Sequence, residues 1–145
     1  MTHPDLALFP FVVEQDVAWG DMDSYAHVNN VVYFRYFENA RIALLDRVGW
    51  IRSMQEVGLG PIAASTSARF RKPLAYPDHL FVGARVTDLQ PDRIMIEHRI
   101  VSAKLDAVTT EGQVVVVSFD YRQGRKAPIP EAIRAAIEQL ASTKQ

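Results

Sequence analysis

The chain contains no cysteine. That absence excludes disulfide staples, thiolate metal ligands and a cysteine nucleophile, and it suits a cytoplasmic protein, the localisation expected here. Net charge is almost absent too: 16 Lys and Arg against 17 Asp and Glu leave −1. Such a balance gives no long-range pull toward nucleic acid or an anionic membrane. Neither is expected as a partner, and an anionic ligand would have to be met by a local group of Arg and Lys. No stretch approaches the roughly 18 apolar residues of a membrane span. The opening MTHPDLALFPF lacks a basic start, and its apolar run is too short for a secretory leader.

Other chemistries are thinly represented. The four histidines, His3, His27, His79 and His98, lack metal-ligand spacing, so no metal is expected. A G-x-S-x-G nucleophile elbow is missing, which sets aside the common serine hydrolases. The run Gly58-Leu59-Gly60-Pro61-Ile62-Ala63 has the letters of a dinucleotide fingerprint, but it follows a helix and precedes a strand, the reverse of the required context. His98 shares the parity of Ile96 and Ile100 and reads as a hydrogen-bonded core or interface histidine.

What is present describes one ordinary domain. The 145 residues are 48% hydrophobic and 23% charged, enough for one substantial core. The whole chain, 1–145, is expected to form a single domain, with a core over about 9–126 and a C-terminal helix over about 130–141. Phe9, Phe11, Val13, Val17 and Trp19 alternate with Glu14 and Asp16 as in a half-buried strand. From Asn30 to Val48 the period becomes helical. Tyr33, Phe37, Ala40, Leu44 and Val48 share one face, and Phe34, Tyr36 and Ile42 widen the apolar arc, so this helix is buried on more than one side. Gly49 is its expected stop.

Four strands are then expected in meander-like succession, around Ile62–Phe70, Leu80–Val86, Ile94–Ile100 and Val114–Val117. The last is apolar on both faces, as in a central or covered strand. One long buried helix with a mostly antiparallel sheet gives an α+β class, the sheet curling around the helix.

The segment between the first strand and the helix, WGDMDSYAHVNN, is crowded with polar side chains. One Asn is enough to cap a helix, and an Asp suits a turn. Asp21, Asp23, His27 and a second Asn still remain, next to a helix end whose free N–H groups carry partial positive charge. That combination suits chemistry at a carbonyl. The N–H groups can hold a developing oxyanion, and a carboxylate can activate water or attack directly.

The pattern G-D-M-D-x-x-x-H-V-N-N-x-x-Y-x-x-Y-x-E-x-A-R, Gly20 to Arg41, resembles the 4-hydroxybenzoyl-CoA thioesterase family of the hotdog superfamily. The likeness runs over roughly residues 10 to 125 and includes F-R-K-P-L-x-Y-x-D, Phe70 to Asp78. The resemblance implies a five-stranded antiparallel sheet wrapped around a long central helix. It also implies homodimers paired edge to edge, often joined as homotetramers, with active sites at the subunit interface. The implied activity is hydrolysis of an acyl-CoA to free acid and CoA, with CoA as part of the substrate and no separate cofactor.

Carried over by position, Asp23 is the catalytic base or nucleophile, and the backbone N–H at Asn30 polarises the carbonyl, with Val31 beside it. His27 and Asn29 line the site. Asp21 reads as structural, and Glu38 as a partner for Arg41 three residues on. The hairpin Leu89-Gln90-Pro91-Asp92-Arg93 departs from the pattern, because it holds one cation where a branch of the family carries a basic cluster for CoA phosphates. The cations left for that task are Arg69, Arg71 and Lys72, or Arg122, Arg125 and Lys126. The departure keeps two other readings open: an acyl-carrier-protein thioesterase, and a non-catalytic acyl-binding module. Dehydratase relatives share the fold but place their histidine and acid differently.

Overall fold

A computed structural model describes residues 3–142. After a short 3-10 turn at Pro4–Leu6 come strand β1 (Phe11–Asp16), a second 3-10 turn (Trp19–Asp21) and helix α1 (Asn30–Arg47). Helix α2 (Trp50–Val57), β2 (Leu59–Phe70), β3 (His79–Leu89), β4 (Arg93–Ser102), β5 (Ala107–Asp120), the two-residue β6 (Arg125–Lys126) and α3 (Glu131–Ser142) follow. The curled antiparallel sheet with α1 against it is the hotdog arrangement.

Tyr33, Phe37, Ala40, Leu44 and Val48, the expected face of α1, are each no more than 5% exposed. Tyr36 and Leu45 are buried beside them, so the wide apolar arc is covered on more than one side. Gly49, at φ +86°, ends α1 in the left-handed conformation glycine tolerates. The chain then turns directly into α2, which the sequence reading did not anticipate. Its anchor is Trp50, wholly buried, and Trp50, Met54 and Val57 keep helical spacing over only 8 residues.

The strands lie in the order β1-β3-β4-β5-β2, with β6 against β5. The expected meander holds for β3, β4 and β5. β2 departs from it, lying beyond β5 with Ile62 opposite Val117 and Phe70 opposite Thr110. The chain therefore crosses back from one edge of the sheet to reach β3. On the way Leu74 accepts the Val28 N–H at 2.7 Å, and Asp78 accepts the Val17 N–H at 3.0 Å through its backbone carbonyl. This crossing brings residues 71–78 against the start of α1.

β5 is central, between β4 and β2, which accounts for its apolar run; Val114, Val116 and Val117 are buried. His98 on β4 is fully buried and stacks on Phe37 with centroids 5.0 Å apart and ring planes 10° apart. Its Nδ1 lies 3.0 Å from the Gly83 carbonyl, while Nε2 is buried without a partner. Phe37 in turn lies against Gly112, where a Cβ would come within 2.5 Å of the ring. Ile129, Ile133 and Ile137 close the core from the C-terminal side. No helix among the described residues is long and apolar enough to cross a membrane.

Candidate active site

The polar loop is closed by its own backbone. Met22 bridges Val28, the Asp23 N–H donates to the His27 carbonyl at 2.9 Å, and the Ala26 N–H donates to the Asp23 carbonyl at 3.1 Å. Ala26 sits at φ +62°, a left-handed conformation that costs a residue with a Cβ about 1 kcal/mol. The Tyr25 N–H donates to Asp23 Oδ1 at 2.9 Å. Asp23 is thus fixed at the neck of the loop, and its Oδ2 receives no hydrogen bond from the described residues.

Asp21 ties this loop to the helix. Its Oδ2 accepts the Tyr36 hydroxyl at 2.9 Å and the Ala18 N–H at 3.1 Å, and its carbonyl accepts the Asn29 N–H at 2.9 Å. Burial, and then this carboxylate partner, push the Tyr36 phenol well above its usual pKa. The structural reading of Asp21 follows from these contacts.

Asn29 is the N-cap, its Oδ1 accepting the Val31 N–H at 3.0 Å. The Val32 N–H bonds the Asn29 carbonyl at 2.9 Å. Two of the first amides are therefore occupied, and Val31, expected to share the oxyanion contact, has its N–H taken by the cap. The Asn30 amide, first of the helix, has no acceptor among the described residues. It carries the free positive end of the α1 dipole.

A cavity of about 280 Å³ opens here, lined by His27, Val28, Asn30, Tyr33, Phe70, Arg71, Lys72 and Pro73. The structure thus gathers His27, Asn30, Arg71 and Lys72 of the expected residues. Arg71 also bonds Glu111 at 3.0 Å, while the Lys72 ammonium has no ion-pair partner among the described residues. Arg69 lies opposite Glu111 in the strand register and lines a neighbouring hollow with Ser67, Glu97, Arg99 and that same Glu111, so the Arg71–Glu111 pair links the two. In the other basic group Arg122 donates to the Glu56 carbonyl at 2.9 Å, while Arg125 and Lys126 are exposed on β6.

Tyr33 and Phe70 were read as apolar positions and as letters of the family pattern without a role at the site, yet both line the cavity, their ring centroids 4.9 Å apart. The Leu74 N–H donates to the Tyr33 hydroxyl at 3.2 Å. Burial raises the pKa of this phenol, the Leu74 bond opposes the rise, and the Asp23 charge adds to it. Asp23 does not line the cavity wall itself, but its carboxylate acts electrostatically on the phenol that does. The signal for Tyr33 lay in its spacing: three residues after Asn30, it shares the flank of the helix start. Glu38 meets Arg41 at 3.6 Å, the expected pair.

The helix-start amide of Asn30 and the cations Arg71 and Lys72 border one cavity, with the Asp23 carboxylate in the adjoining loop. The chain belongs to the Thioesterase-like superfamily, whose family model matches residues 17–137. It is 32% identical to a thioesterase from Thermus thermophilus crystallised with coenzyme A and Zn, covering 92% of this chain and 96% of that one at a TM-score of 0.81. A DHNA-CoA thioesterase from Staphylococcus aureus, 15% identical, shares the fold at a TM-score of 0.81 over 93% of this chain and 95% of that one.

Among curated relatives, the chloroplastic acyl-acyl carrier protein thioesterase ATL3 of Arabidopsis thaliana is 29% identical over 126 residues, 85% of this chain and 65% of that protein. The chain spans less than two thirds of the length of the curated relatives it matches, down to 43% for Protein THEM6 of Xenopus laevis.

Proposed function

We propose that the protein is an acyl-CoA thioesterase of the 4-hydroxybenzoyl-CoA thioesterase type, releasing a free acid and CoA. The observation that carries this reading is the unpaired Asn30 amide opening into a cavity beside Arg71 and Lys72, with Asp23 clamped in the adjoining loop. The thioester oxygen would receive the Asn30 N–H, which stabilises the charge that develops on it. Asp23 would take a proton from water as it attacks, or attack the carbonyl carbon itself, and the C–S bond would then break. Arg71 and Lys72 would meet carrier phosphates, His27 and Asn29 would border the substrate, and no other cofactor is needed. The CoA complex of the Thermus relative supports the carrier assignment.

A homodimer, alone or within a homotetramer, completes the reading. β2 presents 12 residues with one unpaired edge, a template for a strand of a second copy. Phe70, Ile62, Val31 and Tyr25 are exposed near it. Pairing there would cover these side chains and wall the cavity. The cytoplasm is the proposed compartment.

One observation favours acyl carrier protein as the carrier instead. The only cation of the hairpin before β4, Arg93, is held by Asp92 through bonds of 2.9 and 3.1 Å.

The test is thiol release from short, long and aromatic acyl-CoAs, with the same acyl groups on carrier protein. Asp23→Asn keeps the acceptor for the Tyr25 N–H, so the fold should hold while turnover falls at least about 100-fold. Full activity in this variant would refute the mechanism.

A further inference from the structure

We infer that Tyr33 is a catalytic residue that holds the hydrolytic water, its phenol donating to the water oxygen while the water donates to Asp23. The inference rests on the thioesterase reading and goes beyond it, because it selects a water-mediated mechanism over direct attack by the carboxylate.

Three observations carry it. Tyr33 is 3% exposed, yet it lines the cavity next to Asn30, the amide that would receive the carbonyl oxygen. Its hydroxyl oxygen already accepts the Leu74 N–H at 3.2 Å, so its own proton is left to donate. No described residue accepts that proton, although buried phenols ordinarily find a partner. Asp23 lies in the loop whose His27 and Val28 line the same cavity, and it shares no direct hydrogen bond with the phenol. A donor with nothing to donate to and a carboxylate oxygen with no donor, set about one cavity, suit a water molecule between them.

The step balances as follows. Held by Tyr33, the water oxygen attacks the thioester carbon as one water proton passes to Asp23. The tetrahedral oxyanion rests on the Asn30 N–H. Its collapse breaks the C–S bond, and the departing thiolate takes the proton from Asp23. Tyr33 keeps its proton throughout, consistent with a phenol whose pKa lies above the usual value. The other ionisable groups facing it are His27 from the loop and Arg71 and Lys72 from the crossing segment, with Tyr36 one turn along α1.

The test uses the full chain with acetyl-, hexanoyl-, palmitoyl- and benzoyl-CoA, following the ester turned over fastest. Tyr33→Phe should lower kcat at least about 10-fold with KM within about twofold, since it removes an interaction made to the nucleophile and not to the carrier. Because this variant also leaves the Leu74 N–H unpaired, a second substitution separates the roles. 3,5-Difluorotyrosine at position 33 keeps the acceptor for Leu74 but lowers the phenol pKa. A phenolate still accepts the Leu74 N–H and can no longer donate to water. Activity should therefore fall on an alkaline limb that the wild type lacks, with unchanged thermal stability. An unshifted alkaline profile in the fluorinated protein, or full kcat in folded Tyr33→Phe, would overturn the inference while leaving the Asp23 result standing. Absence of turnover by the wild type on any CoA or carrier-protein thioester would overturn the thioesterase reading, and this inference with it.

Discussion

Acid should destabilise this protein through His98, by an amount that the structure sets. The ring is fully buried between Phe37 and the sheet, and burial pulls its pKa from 6.5 to about 4, only partly opposed by the hydrogen bond to the Gly83 carbonyl. The nearby Arg41 charge acts in the same direction as burial. At neutral pH the imidazole is therefore uncharged, with Nδ1–H donating to Gly83 and Nε2 bare.

Between the two pKa values the unfolded chain binds a proton that the folded chain refuses, so stability falls as pH falls. A shift from 6.5 to about 4 corresponds to a loss of roughly 2.5 kcal/mol by about pH 4.5, at about 1.4 kcal/mol per unit. The assay is urea unfolding of wild type and His98→Gln at matched pH from about 8 to 4.5. The difference between the proteins, not either curve alone, isolates His98. Carboxylates titrate over the same range, and His79 works the other way. Asp16, 2.6 Å from it, and Glu14, 2.7 Å from it, raise its pKa. Its contribution is full below its unfolded pKa and is lost as pH rises through the folded value. If the wild-type and His98→Gln curves run parallel across the range, His98 is not held neutral and the reasoning fails.

Two further substitutions test the packing and the cap that set up the cavity. Gly112→Ala should cost about 1–3 kcal/mol, because its Cβ would lie 2.5 Å from the Phe37 ring; Phe37→Leu should partly relieve it, and a denaturation double-mutant cycle should show a coupling of at least about 0.5 kcal/mol. Asn29→Ala should cost about 1 kcal/mol, measured by thermal unfolding, and Asn29→Ser should recover most of it by restoring an acceptor for the Val31 N–H.

Much of the fold could be read from residue spacing. The apolar face of α1 repeated every three or four residues for nearly five turns, so no local accident could imitate it. β4 alternated over residues 94–100, and β3 over residues 80–84, because that face meets the main core, while Leu6 and Phe9 cover part of the other face at Gly83 and Val101. Strand order was not accessible in the same way. Periodicity reports which face is buried but not which strand lies alongside, and the departure of β2 from the meander depends on long-range pairing with β5. α2 was missed although Trp50, Met54 and Val57 recur at helical spacing, because 8 residues give the pattern only about two turns. Arg69 and Arg71 read as one cluster in the sequence; Arg69 lines a hollow with Glu111, and Arg71, just past the end of β2, borders the cavity while pairing with that same Glu111.

The crowding of polar groups before α1 resolves once each is followed to its partner. Asp21 is taken by Tyr36 and Ala18, and Asn29 by the Val31 amide. One oxygen of Asp23 is taken by Tyr25, and the loop backbone closes on itself between Asp23 and His27. These bonds are ordinary folding interactions, and each occupies the atom that makes it. What they leave is Oδ2 of Asp23, the Asn30 amide, the Tyr33 hydroxyl proton and the Lys72 ammonium, which lack partners among the described residues. Of these groups only the Tyr33 hydroxyl is buried, while Asn30 and Lys72 are exposed to solvent. In the proposed site, the Asn29 cap and the bonds of Asp21 hold these groups in place. Asn29→Ala should accordingly impair turnover beyond its cost in stability, since a frayed first turn would no longer present the Asn30 N–H at a fixed angle.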